Sequence, residues 1–389
     1  MDEPSTKLPA SLLFMSEQLN GYNKNRFRLE PLSAQQATAG RIITVNLPEN
    51  ALLDMNSFRF HFEMDAGHNS SASCVGLIPQ NADAVIGNLE VYVNGIQVQQ
   101  STQEYNTLAH TLRLGGWNQD CERTKGRLVN HAALFAAVAD TNAFDASTNG
   151  SGEKANLVID QWAGFLNQLS TSYLPTDLIG QIQIRITLAP NSILSGCSTS
   201  RAADDLSASE VVTPPTYQLD NMYFTVDSIV VGDAYNQLLR NQLAHSTLPL
   251  NYNEYYSFTL PAQANTNFTN RFSLSSGSID KILAINRANV YSTFGTATDL
   301  TPTSTYISPL GAVGNKLTGK YFKLESFKNA TERDSQDGTL RYQFNVNNVQ
   351  YPMYEARNSE AMADVAFCND KYGMDSKGIL VSSPTAFCR

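Results

Sequence analysis

Strict alternation of apolar and polar residues limits what this chain can fold into more than any other feature. Phe58, Phe60, Phe62 and Met64 alternate with Arg59, His61 and Glu63. Ile182, Ile184, Ile186 and Leu188 alternate with Gln181, Gln183, Arg185 and Thr187. Ile43, Val45 and Leu47 follow the same rule, as do Met222, Phe224 and Val226, and Tyr342, Phe344 and Val346. Successive strand side chains point to opposite faces, so a period of two predicts half-buried strands of antiparallel sheets. Helical spacing is rarer. Leu12, Leu13, Leu19 and Tyr22 predict a short amino-terminal helix; Tyr105, Leu108 and Leu112 predict a second; Tyr235, Leu238 and Leu239 predict a third. The connections Asp140 to Lys154 and Ser195 to Pro215 are rich in turn formers. The expected architecture is mainly β, with long decorated loops.

Composition narrows the class. The 389 residues are 42% hydrophobic and only 16% charged, which suits a packed β protein rather than a disordered chain. A formal charge of -9 argues against coating nucleic acid, which needs clustered Lys and Arg. No apolar run approaches the ~20 residues that span a bilayer, and Met1-Asp2-Glu3-Pro4 lacks the basic and apolar regions of a signal peptide. Cys74, Cys121, Cys197, Cys368 and Cys388 are odd in number and scattered, so free thiols in a reducing compartment are expected. The expectation is an intracellular, soluble product.

A weak internal repeat adds detail. Thr44-Val45-Asn46-Leu47-Pro48, followed by Phe58-Arg59-Phe60, is echoed by Ser257-Phe258-Thr259-Leu260-Pro261, followed by Arg271-Phe272-Ser273-Leu274. Val93-Asn94-Gly95-Ile96-Gln97 is echoed by Val346-Asn347-Asn348-Val349-Gln350. Asn-Gly and Asn-Asn tolerate the positive φ of a tight hairpin turn. Each echo of the turn leads into a helix-prone stretch, Glu104 to Leu112 and Glu355 to Ala363. Two echoes in one order predict a duplicated β domain.

Asn88-Leu89-Glu90-Val91-Tyr92-Val93-Asn94-Gly95 running into Glu104-Tyr105-Asn106-Thr107-Leu108 resembles the first jelly roll of double jelly-roll major capsid proteins. Asn347-Asn348-Val349-Gln350-Tyr351-Pro352 resembles the matching feature of the second roll. By pattern the chain is similar to the capsid proteins of virophages, Polinton-like viruses and related DNA viruses, from about Arg26 onward. That resemblance implies two tandem jelly-roll β-sandwiches (a double jelly roll) with a few short helices. It also implies trimers that form pseudo-hexagonal capsomers and tile an icosahedral shell. The partners implied are the chain itself, penton and minor capsid proteins, with genome contact weak at most. The place implied is the virion, after synthesis inside the host cell. The expected domains are residues 1–30 as an amino-terminal arm or helix, 31–232 as the first jelly roll, 233–250 as a linker helix, and 251–389 as the second jelly roll. In register with the first copy, the second has too little chain after Asn347. It is therefore expected to be truncated here, with its remaining strands supplied by the rest of the gene product or by another chain. Asp140 to Lys154, Ser195 to Pro215 and Ser292 to Lys328 are expected to form outer towers and intersubunit arms.

No enzyme is predicted, and no catalytic, cofactor-binding or metal-binding residue is assigned. Gly314-Asn315-Lys316-Leu317-Thr318-Gly319-Lys320 fits seven positions of a P-loop, but Tyr321 stands where a hydroxyl should reach Mg²⁺. An ordinary surface loop is the preferred reading. His61, His68, His110, His131 and His245 are too dispersed for a metal site of the jelly-roll kind, and His61 lies on the polar face of its strand. There is no Gly-x-Ser-x-Gly elbow and no Cys in an activating context. Asp204-Asp205 reads as a solvated pair. The sequons at Asn69, Asn149, Asn267 and Asn329 are expected to be unused. Lys24-Asn25-Arg26-Phe27-Arg28 is the basic cluster near the amino terminus; it either faces the genome or a neighbouring capsomer, or is a solvated turn. The alternative function is a carbohydrate-binding β-sandwich such as a viral spike or lectin, whose sites show as clustered exposed Trp and Tyr. Trp117 and Trp162 are the only tryptophans, and they are far apart in sequence.

Overall fold

The computed structural model describes residues 23–65, 74–77, 82–116, 155–169, 173–193, 195–198, 216–230, 237–238, 240–241, 250–260, 269–274, 276–279, 282–283 and 341–357. Its strands are β1 (Asn23–Leu29), β2 (Ala37–Thr38), β3 (Ile42–Asn46), β4 (Leu52–Asp65), β5 (Cys74–Leu77), β6 (Ile86–Val93), β7 (Ile96–Gln103), β8 (Ala155–Ile159), β9 (Tyr173–Pro175), β10 (Ile182–Leu188), β11 (Ser195–Ser198), β12 (Gln218–Val230), β13 (Arg341–Val346) and β14 (Val349–Arg357). Two helices accompany them, α1 (Tyr105–Gly116) and α2 (Thr176–Ile179).

The alternating segments become the strands they predict. One sheet has the order β1-β12-β4-β8, with β2 added to β12 and β9 to β4; the other has the order β3-β10-β6-β7. Every pairing is antiparallel, and the pairs are nested: β1 with β12, β3 with β10, β4 with β8 and β9, β6 with β7. The chain crosses between the sheets as it proceeds. A long antiparallel ribbon rolled up so that its two halves become facing sheets is a jelly roll, and residues 23–230 close one. The fold is mainly β.

The core lies between the sheets. Phe58, Phe60, Phe62 and Met64 of β4 meet Leu219, Met222, Phe224 and Val226 of β12 from the same sheet. Ile43 and Val45 of β3, Leu89 and Val91 of β6, and the isoleucines of β10 come from the other; all are buried. Phe224 stacks on both Phe58 and Phe60, at centroid distances of 5.6 and 4.6 Å. Both long strands break step once. Buried Met55 and Phe58 are three residues apart, as are Leu219 and Met222, and the ladder shifts at both places. Asn221 takes φ 48° at the second break, a left-handed conformation that Asn tolerates.

Gln99 of β7 is fully buried because its amide bridges strand to loop. Its Nε2 donates to Ala163 O at 3.4 Å, and its Oε1 accepts the Phe165 N–H at 3.0 Å. Gly164 between them has φ 90°, and a Cβ there would lie 2.5 Å from the Gln99 amide oxygen. The Ala163 N–H donates to the hydroxyl of Tyr105, the first residue of α1. The helix expected from Tyr105, Leu108 and Leu112 is thereby tied to the sandwich.

Three expectations need correction. The arm assigned to residues 1–30 contains β1, which fills the edge of the first sheet through the register Asn23↔Val230 to Leu29↔Phe224. The helix-prone stretch beginning at Glu355 continues β14 to Arg357 instead, because Ala356 pairs with Tyr342 and is buried. Residues 257–260 and 269–274, echoes of β3 and of the start of β4, carry no strand, although Phe258 stacks on Phe272 at 4.7 Å. Of the linker expected at 233–250, residues 237–238 and 240–241 are helical. The amino-terminal helix, the loop 140–154 and the segment 292–328 lie outside the described residues, as does most of 251–389.

The second turn echo is matched in three dimensions. Val93 pairs with Ile96 around Asn94 (φ 48°) and Gly95 (φ 79°); Val346 pairs with Val349 around Asn347 (φ 51°) and Asn348 (φ 65°). Two consecutive positive φ angles make a type I′ turn, whose twist matches that of the strands it joins.

Candidate functional site

The described residues of the sandwich offer two outer sheet faces and the edges of the sheets. Among them no group of three His, Cys, Asp or Glu side chains converges on a metal position, and no helix is long and apolar enough to cross a membrane. The two outer faces of the sandwich and the edges of its sheets remain as places where the protein can do something.

The outer face of the first sheet carries the basic cluster read from the sequence, and its charges are already engaged. On β1, Lys24, Arg26 and Arg28 alternate with Asn25, Phe27 and Leu29. Arg26 grips Asp227 of β12 with both ends of its guanidinium, Nε to Oδ1 at 2.7 Å and an Nη to Oδ2 at 3.2 Å. Lys24 Nζ lies 3.1 Å from Asp227 and 3.5 Å from Asp54 of β4. Arg28 Nε donates to Glu30 at 2.8 Å, while its guanidinium sits 4.2 Å above the Tyr223 ring. The hydrogen bond from Arg26, helped by Lys24, holds the Asp227 carboxyl below the usual carboxylate range against the opposing effect of burial. A cluster committed to its own carboxylates is a poor site for phosphates.

His61 sits on the same face. Its ring stacks on Tyr223 at 4.6 Å, nearly parallel, and its Nε2 lies 3.0 Å from the Thr225 hydroxyl. Burial, then the nearby Arg59, Arg26 and Arg28 charges, hold the imidazole below its ordinary range. His61 therefore sits within a polar sheet face, between Tyr223 and Thr225.

The outer face of the second sheet is a hydrogen-bonded polar lattice that includes Glu90 and Arg185. Tyr92 donates to Glu90 at 3.1 Å, and the Arg185 guanidinium lies 4.7 Å from the centre of the Tyr92 ring. Gln183 donates to Asn46 at 3.1 Å, and Arg185 Nε donates to the Gln183 amide oxygen at 3.1 Å. Its edge strand, β7, is covered by the chain that follows the roll. The Tyr252 hydroxyl donates to Val98 O, the Tyr252 ring meets Phe165 edge-on at 5.3 Å, and Gln168 Nε2 donates to the Tyr255 hydroxyl at 3.2 Å.

Other sequence candidates resolve as follows. Trp162 is buried, with its indole N–H donated to Phe58 O at 3.1 Å, so it offers no sugar platform. His110 is buried on α1. Cys74 stands opposite Ser198, and Cys197 opposite Val75, on β5 and β11. Trp117, His68, His131, His245, Cys121, Cys368, Cys388, Asp204-Asp205, the four sequons and residues 314–321 lie outside the described residues. Sequence reasoning missed the Asp227 cluster. The alternation of Lys24, Arg26 and Arg28 with Phe27 and Leu29 was the available signal for a strand, but its partner lies two hundred residues away (|i−j| 201).

No protein-family model matches the sequence, and no curated protein matches it. Among solved structures, the chain is similar to PBCV-1 VP54 as fitted into a cryo-EM reconstruction of the virophage Sputnik, at 11% identity over 56% of this chain and 44% of that chain, with a TM-score of 0.35. It is similar to the PBCV-1 virus capsid in a quasi-atomic model, at 13% identity over 58% of this chain and 45% of that chain, TM-score 0.35. It is also similar to the Faustovirus major capsid protein, at 9% identity over 57% of each chain, TM-score 0.32. The chain spans about half the length of these proteins.

Proposed function

We propose that this chain is a major capsid protein with two jelly rolls, which trimerises into pseudo-hexagonal capsomers and tiles an icosahedral virion shell. The observation that carries the reading is the nested ribbon of residues 23–230 together with the recurrence of its β6–β7 turn at Asn347-Asn348. A jelly roll followed by a second hairpin of the same turn chemistry is what a duplicated roll requires. Duplication has a geometric use: two similar lobes per subunit give six per trimer, and a six-lobed tile fills a surface without gaps. The hydrogen-bonded outer face of the second sheet, where Glu90 and Arg185 offset each other's charge, is suited to lying against another protein. On this reading the partners are other copies of the chain, then penton and minor capsid proteins, and the work is assembly rather than a reaction.

Light scattering on the purified full-length gene product should return three times the mass of its own single chain, and negative-stain images should show six-lobed particles. A strictly monomeric mass at micromolar concentration would sink the proposal and favour a monomeric sugar-binding sandwich.

A further inference from the structure

β1 is attached differently from the strands it joins. Six of its seven residues are exposed, and Phe27, on the side facing the core, is still 39% exposed. By contrast, the apolar residues that β12 and β4 turn inward are almost wholly covered. Beyond its backbone ladder with β12 and the packing of Leu29 on the core, β1 is held by its cations: Arg26 on Asp227, Lys24 on Asp227 and Asp54, and Arg28 over the Tyr223 ring. The components divide unequally. Both carboxylates belong to strands that the core holds in place, and the two cations paired with them belong to a strand that the core scarcely holds.

The Asp227 side chain is 5% exposed, and its place is built in. At the break in β4, the Ser57 hydroxyl donates to Asp54 O at 2.6 Å and accepts the Asp227 N–H at 2.7 Å. Ser57 thereby ties together the backbones of the two strands at the residues that carry the two carboxylates. Without β1, the Asp227 and Asp54 carboxylates would line a socket emptied of the cations that now pair with them.

We propose that β1 is a releasable edge strand, latched to the sandwich by the ion cluster of Lys24 and Arg26 with Asp227 and Asp54. Detachment frees residues 23–29 and bares the β12 edge from Phe224 to Val230 while the facing-sheet core stays folded. The vacated socket accepts back only a strand with cations at Lys-x-Arg spacing, which sets the register of reattachment. Screening ions, which leave apolar burial intact, weaken the latch selectively.

Hydrogen exchange followed by mass spectrometry on the intact chain tests this. In Asp227→Asn, residues 23–29 should exchange roughly tenfold faster than in wild type, with β4 and β10 unchanged. Raising salt to about 1 M should move wild type in the same direction and leave the variant where it is. If Asp227→Asn does not fold, the double variant Lys24→Gln with Arg26→Gln, both at exposed positions, gives the same readout. Unchanged exchange at 23–29 in the variant that folds would overturn the latch, as would equal loss of protection in β1, β4 and β10.

Discussion

The β6–β7 hairpin of the roll and the β13–β14 hairpin of the second half share a turn but not a setting. Both turn through two residues of positive φ, closed by Val–Ile in one case and Val–Val in the other. β6 is then flanked by β10, and its Leu89 and Val91 are buried. On β14, Val349, Tyr351 and Met353 are 47%, 55% and 87% exposed. The difference separates two causes that sequence patterns mix. The turn is local chemistry, decided by which residues accept a left-handed backbone. Burial is decided by what the rest of the chain brings alongside.

The largest effect that would sharpen this contrast is in the core. Phe60→Ala should lower unfolding stability by about 3–5 kcal/mol, since it removes the ring stacked on Phe224. Met353→Ala should stay within about 0.5 kcal/mol of wild type. Equilibrium unfolding in urea measures both, and comparable losses would mean that the second half is as tightly packed as the first.

Turn substitutions should behave oppositely, alike in both places. Asn94→Ala and Asn347→Ala each put an ordinary residue at positive φ and should each cost about 1 kcal/mol of hairpin stability. Hydrogen exchange across each hairpin reads the loss. A cost confined to Asn94 would show that the second turn is imposed by its surroundings, not by Asn.

The smallest effect concerns pH, and it should touch only the first region, because no histidine follows His245. Folding lowers the His61 pKa, so between the folded value and the ordinary value of 6.5 the unfolded chain binds more protons than the folded one. Stability is therefore full above about 6.5, falls as the pH drops through that value, and levels off below the folded pKa. Unfolding midpoints at pH 7.5 and 5.5 should show a smaller acid loss for His61→Gln than for wild type, with β13–β14 exchange unaffected once corrected for intrinsic rate. Equal acid losses in the two proteins would remove His61 from the account.

What could be read in the sequence follows the same division. β4, β10 and β12 announce themselves because one face of each is apolar, and both type I′ turns are legible in Asn-Gly and Asn-Asn. α1 was visible in the spacing of Tyr105, Leu108 and Leu112. β1 was hidden because six of its residues face solvent, and its identity as a strand depends on Asp227, far along the chain. Nothing in Ile96-Gln97-Val98-Gln99-Gln100 distinguishes the buried Gln99 from its neighbours; only the Ala163–Phe165 loop does. The echo at 257–260 matched residue types, yet those residues carry no strand.

The Tyr252 hydroxyl bonded to Val98 O has a consequence for solubility. β7 is an edge strand with Gln97, Gln100 and Gln103 along it besides the buried Gln99, and glutamine is a residue from which the stacked amide ladders of amyloid are made. A carbonyl on an open edge is the first thing a foreign strand would grasp. Here it is occupied by the segment that leaves the same roll, so the protection is made as soon as that segment has been synthesised. At Val98, the edge is thereby closed to the backbone of a second copy.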